Sequence, residues 1–240
     1  IFGMKGHIGD IAWSLCSRVD IFFVNAFVGI SGVGCYSLAV SLAEYSWFLS
    51  SPLIASTAPI ISGATRENAI ALTAKASRHV IFISFATVLV ILLTVPWLIP
   101  VIYGKEYLSS VMPLILLLPG MVFGRAILPN YITGHLGAPH VPTVITLVNA
   151  AIYLPLSFFM IKYYGINGAA IASTVFYILQ FFLMLIFFLC HTRIRMFEVL
   201  VIRWSDLRDY KPITAASDYM IRKYETARRM VCRVSAKGNK

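Results

Sequence analysis

Four ionisable side chains stand inside stretches that otherwise read as hydrocarbon: Arg18, Asp20, Glu44 and Arg125. At the centre of a membrane helix a charge costs ~2.5–3.5 kcal/mol on insertion scales, so it normally faces a cavity or a partner. The chemistry open to such groups is limited. A planar guanidinium suits a phosphate, whose oxygens its fork of donors matches. A buried carboxylate suits uptake of a proton or Na⁺, or a bond to another helix.

Could Arg18 and Asp20 lie in water instead? If their helix began at Ile21, only about ten residues would precede the glycine-rich GISGVG, against the roughly 20 needed to span hydrocarbon. The helix therefore reaches back toward Ile8, and both charges sit near mid-depth. Two residues apart on a helix means about 160° apart in direction, so they are poor partners for each other. Arg18 shares its stripe with Ser14 and Asn25 and is placed on a cavity; Asp20 shares its stripe with Cys16 and Val24, beside Trp13, and is placed against another helix. An interhelical ion pair remains open for both. Glu44 also falls near mid-depth, on a face with Ser37, Ser41 and Ser51. It is a candidate for ion coupling, or a partner for Arg18 or a serine. Pro52 and Pro59 are expected to kink its helix, since each removes a backbone donor. Arg125 can hold a phosphate or snorkel to the interface. Asn149, with Asn130 and Tyr131, offers amide and hydroxyl groups for hydrogen bonding. No nucleophile–base–orienter set is present, so no catalytic residue is expected. Cys16, Cys35, Cys190 and Cys232 are scattered, and neither a metal nor a disulfide framework is indicated. No cofactor is expected beyond a coupling H⁺ or Na⁺.

The elements that must position these groups follow from composition. Of 240 residues, 59% are hydrophobic and 12% charged, against roughly 25% charged in soluble domains. The expectation is an all-α integral membrane protein. Apolar runs between charged or Gly/Pro breaks predict six spans, at 8–30, 35–62, 80–103, 111–133, 143–164 and 168–190. Alternation puts Lys5, the loop with Arg66, Lys75 and Arg78, and the C-terminal tail on one side. By the distribution of Lys and Arg both termini are then cytoplasmic. Residues 1–190 form the transmembrane part. Residues 191–240, with twelve Lys/Arg and five Asp/Glu, form a basic cytoplasmic or interfacial tail beside anionic membrane lipids. In it, 195–204 is expected to lie apolar side down in the interface, and 217–234 is expected to be helical. Juxtamembrane anchoring explains the positive charge without nucleic acid, although a specific lipid or partner site stays open. The start at Ile1, without a signal-peptide pattern, predicts a C-terminal part of a longer protein.

Three stretches resemble one family. They are RVDIFFVNAFVGISGVGCYSLAVSLAE, the segment from IPVIYGKEYLSSVMPLILLLPG to RAILPNYITG, and YYGINGAAIAST. In order and spacing they are similar to the C-terminal six-helix lobe of the oligosaccharide and polysaccharide flippases of the multidrug/oligosaccharidyl-lipid/polysaccharide exporter superfamily. The loop GHLGAPHVP departs from that family's basic, glycine-rich loop, having His135 and His140 in place of cations. The resemblance implies one lobe of a two-lobe, twelve-helix transporter in the bacterial cytoplasmic (inner) membrane, with an N-terminal lobe as partner. It further implies alternating access, an undecaprenyl-pyrophosphate-linked oligosaccharide as substrate, and polysaccharide assembly proteins as possible partners. On that basis Arg18, Asn25, Arg125 and Asn149 are candidates for the substrate, and Asp20 and Glu44 for ion coupling. Rival readings are a drug exporter of the same superfamily, an integral-membrane polymerase or ligase, and a membrane scaffold.

Overall fold

The computed structural model describes residues 2–125, 127–202 and 206, with side chains from residue 11 onward. Helices account for nearly all of it, and no strand occurs among the described residues. Helix α1 (Phe2–Phe27) is followed at once by α2 (Ile30–Glu44), a 3₁₀ turn (Tyr45–Trp47) and α3 (Ser50–Gly63). Then come α4 (Arg66–Ile102), a 3₁₀ segment (Lys105–Ser110), α5 (Val111–Phe123), the single turn α6 (Leu128–Asn130) and a π-helical turn (Tyr131–His135). The chain ends in α7 (His140–Thr192) and the short α8 (Met196–Leu200).

Several breaks differ from expectation, each for a backbone reason. Of the three glycines in GISGVG, only Gly29 takes a positive φ, 91°. Gly32 and Gly34 are helical, so the turn is confined to Val28 and Gly29. The charged segment 63–79, expected as a loop, is mostly the start of α4: Thr65 is extended at the N-cap position and Glu67 lies in the first turn, where a negative charge suits the helix dipole. The second expected span bends by 48° between Ile30–Trp47 and Ser50–Gly63. That break lies four residues ahead of Pro52, whose ring clashes with the carbonyl of Phe48 and offers it no donor. Pro59 lies inside α3 and does not interrupt it.

In α7 the interruption is Gly165, at φ 57° and ψ −137°, a conformation open essentially to glycine alone. The residues on either side, 140–164 and 166–192, fold back as two antiparallel arms. Asn149 bonds the Phe176 carbonyl and Gln180, Tyr153 bonds Ser173, and Gly168 packs on Met160, so partner numbers fall on one arm as they rise on the other.

Two apolar clusters stack along the helices. One joins Val24, Tyr36, Ala39, Ile91, Leu117 and Phe176. The other joins Ile61, Ala69, Leu128, Met184, Phe188 and Val199, at the end where α4 begins with Arg66, Lys75 and Arg78. Here α8 packs on α4: Val199 is fully buried and the Arg78 guanidinium donates to the Glu198 carbonyl. Residues 195–201 are thus docked on the bundle through Val199, while Phe197 stays exposed. The first compact unit consequently runs to Val201. The helical reading of 217–234, the rest of the basic tail and Cys232 lie outside the described residues.

The outside of the bundle is apolar. Trp97 is 79% exposed and Val101 80%, while Asp20, Ser84, Ser110 and Ser157 are buried. This inverts the pattern of a water-soluble protein. Three helical stretches are long and apolar enough to cross a membrane: Arg66–Ile102, Lys105–His135 and His140–Thr192. The bent pair makes four if it counts as one span. Charges at Lys5, Asp10, Arg18 and Asp20 keep α1 below the same standard.

Candidate functional site

Asp20 is 4% exposed at the place where α1 meets α2 and α7. Its carboxylate accepts from Tyr36 Oη at 2.5 Å, Ser173 Oγ at 3.0 Å and the Ile21 backbone N–H at 2.9 Å. Ser173 Oγ lies 3.2 Å from Tyr153 Oη and 3.3 Å from Tyr36 Oη. Four polar side chains from α1, α2 and both arms of α7 thus share one buried knot. A lone buried carboxylate would be costly, and the hydroxyl donors offset that cost. The partner on another helix expected for Asp20 is therefore present, as hydroxyls rather than as a cation.

Arg18 points the other way. Its Nη2 lies 3.4 Å from Glu44 Oε1, with the two side chains 52% and 30% exposed. Of the alternatives for these residues, the α1–α2 ion pair is the one formed, and Arg18 is not left open to an anion alone. Asn25 is exposed further along α1. One turn beyond Glu44, Trp47 donates its indole N–H to the Met121 carbonyl at 3.0 Å. Its ring is edge-on to Tyr177 at 5.6 Å. The Arg125 guanidinium lies 4.9 Å over the same ring, a cation–π arrangement. Gly124 permits this approach, since a Cβ there would come within 2.6 Å of the indole.

Arg125 reaches that position because α5 stops at Phe123 and regular helix resumes only at Leu128. Pro129 lies four residues after Arg125 and cannot bond its carbonyl, so the helix cannot run through. The outcome is a continuous strip, Arg18–Glu44–Trp47–Arg125, with Tyr177 beside it.

Next to the strip is a half-enclosed cavity of ≈ 710 Å³ between α1, α3, the α5–α6 break and α7. Arg125, Asn130 and Gln180 supply polar atoms, and Trp13, Phe123 and Phe181 supply aromatic wall. Asn149 is buried and outside the lining of this cavity: its Nδ2 bonds the Phe176 carbonyl and Gln180 Oε1, both at 3.0 Å. Gln180 in turn donates to Thr146 Oγ1 at 2.9 Å. Asn149 therefore fastens the two arms of α7 beneath the cavity.

Residues 1–112 match a family described as polysaccharide biosynthesis protein. No curated protein and no solved structure matches the chain. The match bears out the resemblance over that segment and ties the chain to polysaccharide biosynthesis. It covers α1 to α4, and with them Arg18, Asp20, Tyr36, Glu44 and Trp47. Arg125, Tyr153, Ser173 and the cavity wall from α7 lie beyond it. Sequence reasoning missed Tyr36, Tyr153, Ser173 and Trp47. A tyrosine or tryptophan in an apolar helix gives no signal until its polar atom has a partner.

Proposed function

We propose that this chain is one six-span lobe of a transporter rather than an enzyme. It moves a lipid-linked oligosaccharide from the inner to the outer leaflet of a bacterial cytoplasmic membrane by alternating access. Both termini are cytoplasmic, the second lobe is the N-terminal half of the protein, and polysaccharide assembly proteins use the product. The observation that carries this reading is the strip. Arg18, Glu44 and Arg125 lie near the middles of α1, of the bent α2–α3 pair and of the 105–135 stretch. Arg18 and Arg125 are nonetheless on the exposed side of an apolar bundle. Charges at that depth do not face hydrocarbon, because each would cost ~2.5–3.5 kcal/mol. The strip therefore faces a polar path or the second lobe. Arg125, held over the buried Trp47 ring, gives a pyrophosphate a cation.

Cells lacking the protein are expected to accumulate lipid-linked repeat units on the cytoplasmic side and to lose external polymer. Normal external polymer in such cells would rule the reading out. Coupling to H⁺ or Na⁺ at Asp20 or Glu44 extends the same proposal. It fails if Asp20→Asn and Glu44→Gln both leave the ion dependence of transport unchanged. The Arg18–Glu44 pair is open enough to be screened, so Glu44→Gln is expected to change unfolding free energy by less than about 1 kcal/mol. Transport should fall far more than stability, which a Tm measured beside a transport assay checks.

A further inference from the structure

Tyr131 is fully buried, yet its hydroxyl has no hydrogen-bond partner among the described residues. The Arg66 guanidinium, at the start of α4, comes up to that hydroxyl without closing a bond. A guanidinium carries donors only, and a hydroxyl that accepts from it still has its own proton to place. Two imidazoles complete the cluster. His135 stacks on the Tyr131 ring at 5.3 Å; His191, at the end of α7, lies 6.4 Å from it and parallel to Phe187. Each carries at least one N–H. Among the described residues none of Arg66, His135 and His191 is paired with a carboxylate. Glu67 follows Arg66 in the chain, but it is exposed and about 100° further round the helix. Donors therefore outnumber the acceptors within their reach.

The grouping depends on the π-helical turn. Leu136 N–H donates to the Tyr131 carbonyl, five residues back, at 3.0 Å, and the widened turn lays His135 over Tyr131. Such turns are frequent at functional sites. Asn130 and Thr133 of the same stretch face the cavity beside Arg125, whereas Tyr131 and His135 are outside its lining. The first turn of α4 adds backbone N–H groups that no side chain caps, at the positive end of a 37-residue helix.

We infer that Arg66, Tyr131, His135 and His191 form an anion site that takes a phosphate group where α4, the π-helical turn and α7 meet. Phosphate oxygens diverge tetrahedrally, which suits donors arriving from three elements, and they match the guanidinium fork. The two oxygens of a carboxylate lie in one plane. Arg66 is exposed, so it swings out to admit the ligand to the hydroxyl beneath it. The phosphate comes either from solution or from a lipid headgroup at the rim of the bundle. The site is separate from the Arg125 cavity and from whatever the protein transports.

The test is binding and thermal unfolding of the purified full chain in a phosphate-free maltoside detergent. The probes are inorganic phosphate, phosphatidic acid and a diacylglycerol with the same acyl chains, with chloride at matched ionic strength as control. Whether phosphate or phosphatidic acid binds more tightly tells which source serves the site. Arg66→Gln is expected to weaken the tighter ligand about tenfold or more, the loss of a charge-assisted hydrogen bond. Arg66→Lys should fall between Gln and wild type, because it keeps the charge without the fork. Tyr131→Phe separates ligand from structure. Without ligand it should melt no lower than wild type, since it removes an orphaned hydroxyl, yet it should bind about threefold or more weaker. His135→Phe keeps a ring on Tyr131 while removing the N–H, and should weaken binding by a similar factor. Wild-type affinity in both Arg66→Gln and Tyr131→Phe would overturn the site. So would a Tyr131→Phe protein that melts well below wild type without ligand, because the hydroxyl would then be bonded within the protein. Equal stabilisation by chloride, diacylglycerol binding as tight as phosphatidic acid, or no binding of either phosphate probe by the unmutated protein would each overturn it as well.

Discussion

Asp20→Leu is expected to destabilise the bundle by about 2–4 kcal/mol, measured as unfolding of the purified protein in mild detergent. Leucine keeps the branched shape, but its methyl groups are larger than the oxygens they replace, so overpacking adds to the loss. It takes the carboxylate from Tyr36 Oη and Ser173 Oγ, now 2.5 and 3.0 Å from it. Counting Tyr153, it leaves three hydroxyls with too few acceptors for their donors in a dry contact between three helices. An orphaned buried donor costs about 1–3 kcal/mol. Hydrogen bonds between membrane helices average nearer 0.6 kcal/mol, because the separated helices find other partners in the membrane. The lower end of the range reflects that competition. Asp20→Asn keeps a carbonyl acceptor and should cost about half as much. In the double variant Asp20→Leu/Tyr36→Phe one orphan is removed together with its acceptor. The two changes should then sum to less than their separate costs, by about 1 kcal/mol. An Asp20→Leu protein within about 0.5 kcal/mol of wild type, the range of an inconsequential surface change, would mean that the knot does not hold the helices together.

The knot also marks the limit of what the sequence discloses. The direction of Asp20 follows from helical geometry, because two residues separate it from Arg18. The identity of its partners does not, since Tyr36 and Ser173 are uncharged and 137 residues apart in the chain. Only the fold of α7 back on itself brings Ser173 to α1. The Arg18–Glu44 pair was one of several pairings that a helical projection allowed, and choosing among them needs the relative rotation of α1 and α2. Helices were legible wherever apolar length was the signal, and misplaced wherever charge or glycine was taken to mean a loop. Residues 66–79 are polar but helical, because α4 extends 37 residues, more than the roughly 20 that span hydrocarbon. Proline was informative at two places only. The breaks before Pro52 and Pro129 each adjoin a group of the strip, Trp47 and Arg125, whereas Pro59, Pro96, Pro100 and Pro155 lie within continuous helix.

A second large effect is expected at Gly168, where one methyl group has no place to go. A Cβ there would fall on the Met160 carbonyl, which is backbone and cannot swing aside as a side chain would. Gly168→Ala therefore has to push apart the two arms of α7 close to their turn at Gly165. The same arms carry the Asn149–Gln180 and Tyr153–Ser173 bonds, so a splayed hairpin also draws Ser173 from Asp20. A loss of more than about 3 kcal/mol is expected, near the size of the most damaging overpacking changes. Gly120→Ala tests the same physics on a gentler scale: its Cβ would come within 2.8 Å of Thr174 Cα, and α5 can shift as a unit. Gly137→Ala has free space around it but φ 63°, so strain alone should cost about 1–2 kcal/mol. Gly34 is helical with nothing within 4 Å, and Ala there should be neutral or stabilise by up to about 1 kcal/mol. The folded fraction of each variant, read by size-exclusion of protein extracted from membranes, should thus rank Gly34→Ala first and Gly168→Ala last. If Gly168→Ala accumulates and elutes like Gly34→Ala, the close contact of the two arms is not what closes the hairpin.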